Sequence, residues 1–235
     1  MKKTSFWSAV ATLGVALILS GCVSGPVAVP STFWEQTSDR VLIVLDELPE
    51  HGIYAKEGSQ GLLDVAINSA MATSEAKHLK QQDAEAFREI VSIFEAELTA
   101  AGFQPIVYEG EFSLKDQPKL KGKQSGQFEY DLSGLAVESD ADEIIVLRLV
   151  SFGASRTYYG FIPTSQPQGY AMVQGIMVDT EKNKILWDTG ILEGTIKDPV
   201  VGEWNQEPDF PNLTEAMNRA VEKSKRFLKD RFFER

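Results

Sequence analysis

The sequence predicts an α+β fold, a mixed α/β sandwich in which helices pack on a mixed sheet of about five strands. Three observations predict it: short apolar runs rich in β-branched residues, longer segments with apolar residues at helical spacing, and their order along the chain. That order is strand, helices, strand, short helix, strand, hairpin and helix. Since 43% of the 235 residues are hydrophobic, the chain can bury a sizeable core.

The first half of the predicted domain contains one strand and two helices. Arg40 to Leu48 holds a short apolar run bounded by acids, which indicates a buried strand. Two apolar rows at i, i+4 spacing between Leu62 and Met71 predict one face of a helix. Asp83 can cap a second helix, whose long apolar stripe ends at Gly102, a residue suited to the left-handed backbone that follows a helix.

The run from Ile144 to Val150 is the strongest strand of the second half and is interrupted only by Arg148. It is therefore expected at the centre of the sheet with both faces covered. Two more strands, Tyr170 to Val178 and Ile185 to Lys197, are joined by a polar connection of hairpin length and should pair antiparallel. Before them the pattern predicts two short elements, the strand Phe103 to Tyr108 and the helix Leu132 to Val137.

The last predicted element is a long amphipathic helix. Asn212 can cap it, and Glu215 can reach back to complete a capping box. Its apolar stripe comprises Leu213, Met217, Ala220, Val221, Ser224, Phe227 and Leu228. Basic residues crowd its carboxyl end, where positive charge complements the helix dipole: Lys225, Arg226, Lys229 and Arg231.

The amino terminus resembles that of bacterial lipoproteins. Lys2 and Lys3 precede an uncharged apolar run that ends in Leu19-Ser20-Gly21-Cys22, which resembles the lipobox. The resemblance implies that Cys22, the only cysteine, receives a diacylglyceryl group, that the chain is cut before it, and that the new amino terminus is acylated. The run is shorter than the roughly 20 apolar residues of a transmembrane helix. We therefore predict a signal peptide at 1–21, a short tether at 22–33 and a single globular α/β domain at 34–235.

The predicted order of elements from Arg40 to Lys197 is similar to that of small envelope lipoprotein domains. Examples are the curli secretion lipoprotein, the activators of cell-wall synthases and the amino-terminal domain of the Tol-Pal translocation protein. The likeness implies a fold class and a general type of function, and no site residue is inferred from it. Val23 follows the cysteine in place of the Asp that marks inner-membrane retention in many Gram-negative bacteria. The resemblance therefore implies a lipid anchor in the outer membrane, with the domain facing the periplasm.

The charge balance argues against a nucleic-acid partner. Loss of Lys2 and Lys3 with the signal peptide would move the formal net charge from -11 to -13. A surface this acidic repels phosphate backbones. Four lysines gather in one polar segment that reads as a solvated loop, at Lys115, Lys119, Lys121 and Lys123.

The sequence carries few residues suited to catalysis. Its two histidines are His51, in a loop near Glu47 and Glu50, and His78, on a predicted helix surface. With neither a nucleophile elbow nor a glycine-rich phosphate loop in the sequence, no metal, nucleotide or other cofactor is expected. Asp46 and Glu47, at the carboxyl end of the first strand, are the best-placed pair for a carboxylate hydrolase, with His51 nearby. The simpler interpretation is that they end the strand.

An aromatic segment interleaved with glycine and proline lies between Arg156 and Tyr170. Such side chains either fold back over the core or are presented to another molecule, and tyrosine is enriched at interfaces. The length of this predicted loop favours presentation. The candidate partner-binding residues are Tyr158, Tyr159, Phe161, Ile162 and Tyr170.

These patterns favour a membrane-anchored envelope lipoprotein without enzymatic activity, which binds an envelope protein as an assembly or regulatory subunit. Two alternatives stay open. A hydrolase of an envelope polymer would need a groove near the first strand lined by at least two convergent titratable groups. A carrier of a small apolar ligand would need a pocket of several hundred Å³, roughly the size of known ligand sites, between sheet and helices.

Overall fold

The computed structural model describes residues 25–57, 73–159 and 162–234. Within them the strands are β1 (Arg40–Leu45), β2 (Ile53–Glu57), β3 (Gln104–Val107), β4 (Glu143–Tyr159), β5 (Ile162–Pro163), β6 (Gln168–Asp179), β7 (Lys184–Asp188) and β8 (Thr195–Pro199). The α-helices are α1 (Ser74–Leu79), α2 (Glu89–Ala100), α3 (Ser133–Ser139) and α4 (Pro211–Phe233). In these ranges, no helix combines the length and the hydropathy that crossing a bilayer requires. The predicted signal peptide, Cys22 and the predicted helix between Leu62 and Met71 lie outside the described residues.

Two long strands, β4 and β6, form the spine of the sheet and pair antiparallel along most of their length. On the other side of β4, the parallel strands β1 and β2 follow one another, and β3 extends the sheet beyond β1. On the other side of β6, β7 and β8 follow one another, both antiparallel to it. The predicted α+β class and its mixed sheet are confirmed, although the described sheet has 8 strands rather than about five.

The strands beyond the predicted five are formed by pairings that the spacing of apolar residues does not predict. β4 continues past its predicted end at Val150, because β2 pairs with its second half beyond a bulge between Leu149 and Ser151. The predicted strand Ile185 to Lys197 is instead two strands, β7 and β8, separated by a turn at 191–194. The antiparallel β6–β7 hairpin and the central position of β4 are both confirmed.

One face of the sheet is covered by α2 and α4. α2 buries Ile90, Phe94 and Leu98. A 3₁₀ turn at Glu85–Arg88 precedes it, and the Asp83 carboxylate accepts a hydrogen bond from the backbone N–H of Glu85 at 3.2 Å. Gly102 follows α2 with a φ of 95°, a left-handed conformation that glycine adopts without strain. The predicted end of this helix is therefore confirmed, whereas its predicted cap is wrong: α2 begins at Glu89, with Arg88 rather than Asp83 as the N-cap residue.

α4 packs on β6 and β8 through its predicted apolar stripe, and its carboxyl half contacts α2. The buried Lys225 ties the two helices together, since its Nζ lies 2.5 Å from a carboxylate oxygen of Glu89 and 2.8 Å from one of Glu222. Lys229 makes a similar pair with Glu97 at 2.5 Å. These two basic residues therefore join helices, beyond the complement to the helix dipole that the sequence predicts.

The predicted capping box at the start of α4 is wrong. The helix starts at Pro211, and the residue before it, Phe210, is the N-cap with a φ of 41°. Proline at the first position has no backbone N–H that would need a cap. The Asn212 side chain donates to a carbonyl of the preceding loop at 2.8 Å, while Glu215 pairs with Arg219 at 2.7 Å.

The opposite face of the sheet is covered by residues 112–141, which include α3. Their buried side chains pack on alternate residues of the central strands, such as Val44, Val146 and Ile176. The apolar side chains that this segment contributes are Phe112, Leu114, Phe128, Leu132, Leu135 and Ala141. Its four lysines are exposed, as the composition predicts for a solvated loop.

The segment that precedes β1 is bound to the domain. Val27 exchanges two backbone hydrogen bonds with Asp188 at the edge of β7, at 2.8 and 3.0 Å. Phe33 is buried, with ring centroids 4.6 Å from Phe103 and 5.8 Å from Phe232. The prediction of a short tether at 22–33 is therefore wrong from Val27 onward, where a strand edge and an aromatic cluster hold the chain to the domain.

Candidate functional site

An acidic cleft of about 800 Å³ lies at the carboxyl ends of β1 and β3, beside the start of α2. Arg88 contributes one cation to its lining. A smaller cleft of about 310 Å³ shares Asp46 and Glu47 with it and adds Lys115 and Arg148. The hydrolase hypothesis needs a groove in this place. The acidic residues lining the larger cleft are Asp46, Glu47, Glu50, Asp83, Glu85, Glu109, Glu111 and Asp116.

Asp46 is fixed by its own neighbours. Its Oδ1 accepts a hydrogen bond from the backbone N–H of Leu114 at 2.8 Å, and its Oδ2 accepts one from Nε of Arg148 at 2.8 Å. Arg148 donates in turn to Gln174 at 2.9 Å, and Gln174 donates to Asp188 at 3.0 Å. This row of hydrogen bonds crosses four strands or strand ends on one face of the sheet. Asp46 therefore holds the segment after β3 against the sheet, and both of its carboxylate oxygens are engaged.

Glu47 and His51, the other candidates from the sequence, do not converge with Asp46. Glu47 is exposed and pairs with Lys115 at 2.7 Å, and the hydrogen bond from that lysine lowers the pKa of the Glu47 carboxyl. His51 is exposed before β2 and, among the described residues, does not belong to the lining of either cleft. The described residues also contain no group of three or more His, Cys, Asp or Glu side chains that could hold a metal ion.

The aromatic segment is a continuation of the sheet rather than a loop. Tyr158 and Tyr159 end β4 and pair with Pro163 and Ile162 of β5. Tyr159 is 73% exposed and Ile162 is 66% exposed, so their side chains are presented to solvent. Tyr158 is half-buried. Phe161 lies outside the described residues.

Tyr170 does not belong to this exposed group. It is 2% exposed in β6, and its hydroxyl lies 3.2 Å from Oγ of Ser151 on the neighbouring strand. Burial raises the pKa of the Tyr170 hydroxyl. Its prediction as a partner-binding residue is therefore corrected: the antiparallel pairing of β4 and β6 places it in the core.

The base of the β4–β5 hairpin is held by cationic and aromatic side chains. The Arg156 guanidinium lies 6.0 Å from the ring centroid of Tyr158 and 5.0 Å from that of Trp204. Nζ of Lys56 lies 5.1 Å from the same tyrosine ring. Burial and a hydrogen bond with Tyr158 raise the pKa of the neighbouring Tyr54 hydroxyl. Sequence reasoning missed Trp204, and its only signal was an aromatic residue in a polar, turn-rich segment.

Sequence reasoning also missed a buried acidic residue at the start of β4. Glu143, at the start of β4, is 7% exposed, and its Oε2 has no hydrogen-bond partner. Burial, reinforced by the carboxylates of Asp39, Asp142 and Asp179, raises the pKa of Glu143 to about 8. The sequence shows only an acid next to an apolar run, which is also the usual pattern of a solvated strand end.

Comparisons with known proteins add little to this geometry. The chain matches no protein-family model and no curated protein. Among solved structures it is similar to the lipoprotein GNA1162 from Neisseria meningitidis, with 12% identity, coverage of 79% of this chain and 99% of that chain, and a TM-score of 0.32. It is also similar to the hypothetical protein CT253 from Chlamydia trachomatis, with 10% identity, coverage of 84% and 99%, and a TM-score of 0.35. These scores are too low to support a conclusion about fold or activity.

Proposed function

We propose that this chain is an envelope lipoprotein, anchored through Cys22 to the periplasmic face of the outer membrane, which binds a protein partner and catalyses no reaction. The sequence Leu19-Ser20-Gly21-Cys22 and the charged and apolar leader before it support the anchor. Buried acyl chains contribute about 0.8 kcal/mol per methylene, so two or three of them hold a protein stably on a bilayer.

The apolar tip of the β4–β5 hairpin is the observation that carries partner binding. Tyr159 and Ile162 are paired across the two strands, and both are largely exposed. Exposed apolar side chains that lie side by side gain free energy when a partner removes them from water. Because Arg156 and Tyr158 pack at the base of the hairpin, little conformational freedom is lost on binding.

Photo-cross-linking in cells tests this surface. A photoreactive amino acid in place of Tyr159 should capture one defined envelope protein, and adding Ile162→Ala should lower that capture because it removes the adjacent apolar side chain. The matched control places the same photoreactive residue at Val137, which is 85% exposed on α3. Equal capture at both positions, or capture at 159 that Ile162→Ala leaves unchanged, would contradict the proposal.

The acidic cleft is the one observation that favours the hydrolase alternative, since it is a groove near β1 lined by several titratable groups. The contacts of the two candidate carboxylates oppose it. Both oxygens of Asp46 are hydrogen-bonded, and the lowered pKa of Glu47 makes it a poor proton donor near neutral pH. We therefore propose binding rather than hydrolysis.

The carrier alternative needs apolar space between the sheet and its helices. On the α2–α4 face that space is filled by aromatic rings in edge-to-face and tilted contact, with the centroids of Trp187 and Phe232 4.8 Å apart and those of Phe94 and Phe232 5.3 Å apart. In the two clefts described above, nearly half of the lining residues are charged. No observation on the described residues favours a carrier.

A further inference from the structure

We infer that the turn between β7 and β8 lies on the bilayer surface, with the side chains of Ile191 and Leu192 in contact with zwitterionic lipid. The inference rests on the lipid anchor at Cys22 proposed above. It assigns a membrane-facing surface at the β7 edge of the sheet. The β4–β5 hairpin and the acidic cleft belong to other parts of the sheet, at the end of β4 and at the ends of β1 and β3.

The direction in which the chain enters the domain determines which surface the anchor reaches. Val27 is the antiparallel partner of Asp188, the last residue of β7. In antiparallel pairing, the residues before one partner run alongside the residues that follow the other. Gly25 and Pro26, both exposed, therefore lead from Val27 toward the β7–β8 turn. The lipid would be attached on this side of the domain.

The reach of the connecting chain is short. Val27 is five residues beyond Cys22, and an extended chain spans at most about 3.6 Å per residue, so the anchor lies within about 18 Å of Val27. Leu192 is four residues beyond Asp188, so it lies within about 14 Å of that residue. The anchor therefore lies no more than about 40 Å from this turn, and the direction in which Gly25 and Pro26 leave the domain favours contact between the turn and the lipid headgroups.

The turn presents its apolar side chains on a fixed base. Ile191 is 40% exposed and Leu192 is 56% exposed. Oδ1 of Asp188 accepts a hydrogen bond from the backbone N–H of Gly190 at 2.8 Å, and the Gly194 carbonyl accepts one from β6 at 2.9 Å. A turn that is already ordered loses little conformational freedom when its side chains enter the interface, while their apolar surface leaves water.

Charge decides which kind of lipid the turn meets. Glu193 is exposed directly beside Leu192, and the protein as a whole is strongly acidic. Anionic headgroups carry a negative surface potential that repels such a surface. A zwitterionic bilayer removes this repulsion and still accepts the two apolar side chains.

Spin labelling of the acylated protein tests the inference. Because the only cysteine of the chain would be acylated, Leu192→Cys introduces a unique free thiol for a nitroxide label. Mass spectrometry first checks the acyl groups, and the protein is then placed in dioleoylphosphatidylcholine vesicles. We expect a several-fold fall in accessibility to an aqueous nickel chelate, and a rise in accessibility to oxygen, relative to the same label on a chain that starts at Val23 and therefore lacks both the leader and the acylated cysteine. Ile191→Cys should behave in the same way, and Val137→Cys should show no change.

The outcomes separate the inference from the proposed function. If the acyl groups are present and the labels at 191 and 192 stay as accessible to nickel as the label at 137, the turn does not meet lipid and the inference fails alone. If mass spectrometry finds Cys22 bare, the anchor is absent, and the proposed lipoprotein function and the inference both fail. A label at 192 shielded only after a protein is added would assign the turn to a protein partner and overturn the lipid contact.

Discussion

A single buried carboxyl group makes the stability of this fold depend on pH. The pKa of Glu143 is raised to about 8, against an ordinary value of 4.5. Between these two values the folded protein keeps a proton that the unfolded chain releases. The folded state therefore binds more protons, and the free energy of unfolding falls as pH rises through this interval.

Replacing this carboxyl by an amide should remove the dependence. We expect Glu143→Gln to match the parent near pH 5 and to exceed its free energy of unfolding by about 1 to 2 kcal/mol at pH 8, because unfolding of the parent is favoured there by release of the Glu143 proton. Urea unfolding at several pH values measures this difference. Glu138→Gln, which alters an exposed acid on α3, is the control and should leave the pH profile unchanged. A parallel pH profile for Glu143→Gln and the parent would contradict the prediction.

At the scale of the elements, the close approach of α4 to β6 depends on a glycine. A Cβ at Gly169 would lie 2.0 Å from the backbone oxygen of Ala216 in α4. No flexible side chain can absorb such a contact, because both partners are backbone. The helix packs closely on β6 only because this strand position has no side chain.

We therefore expect Gly169→Ala to lower the free energy of unfolding by about 3 kcal/mol, since α4 must move away from β6 and loosen the core beneath it. The matched control is Gly134→Ala, in the first turn of α3, where an added Cβ meets nothing within 4 Å. There alanine should be neutral or slightly stabilising, because it is the better helix former. Thermal unfolding followed by circular dichroism compares the two. Equal losses of stability would show that glycine is needed at 169 for another reason.

At the scale of the whole molecule, both cores share the same sheet, because successive residues of β1, β4 and β6 point to opposite faces. The segment before β1 joins this unit through Phe33 and through its pairing with β7. Shared strands predict that the two faces unfold together. The contacts of the amino-terminal segment with this unit also predict that the segment contributes to the global free energy of unfolding.

Truncation of Phe33 tests that expectation. Phe33→Ala should lower the free energy of unfolding by about 3 kcal/mol, because it removes a fully buried ring stacked on Phe103. Near-ultraviolet and far-ultraviolet circular dichroism should still report one coincident transition. Thr32→Ala, at the exposed neighbouring position, should change little. A separate early transition in Phe33→Ala would show that the segment unfolds independently of the sheet.

Local chemistry was sufficient to predict much of this protein. The apolar runs predict β1, β4 and the β6–β7 hairpin, and the helical stripes predict α2 and α4. Burial of a strand or of one helix face requires apolar residues at the spacing of that element, so the pattern is visible in the sequence. Gly102 marks the end of α2, since the backbone conformation that follows a helix depends on only a few neighbouring residues. The α+β class follows from the order of these elements.

Contacts between residues far apart in the chain were decided only by the tertiary structure. Nothing in the sequence tells that Arg148 reaches Asp46, that Tyr170 is buried while Tyr159 is exposed, or that Val27 pairs with Asp188. Each depends on strand register, in which a shift of one residue turns every side chain to the opposite face. The lipobox that predicts the anchor is therefore local information, whereas the surface that would face the membrane depends on how distant strands pair.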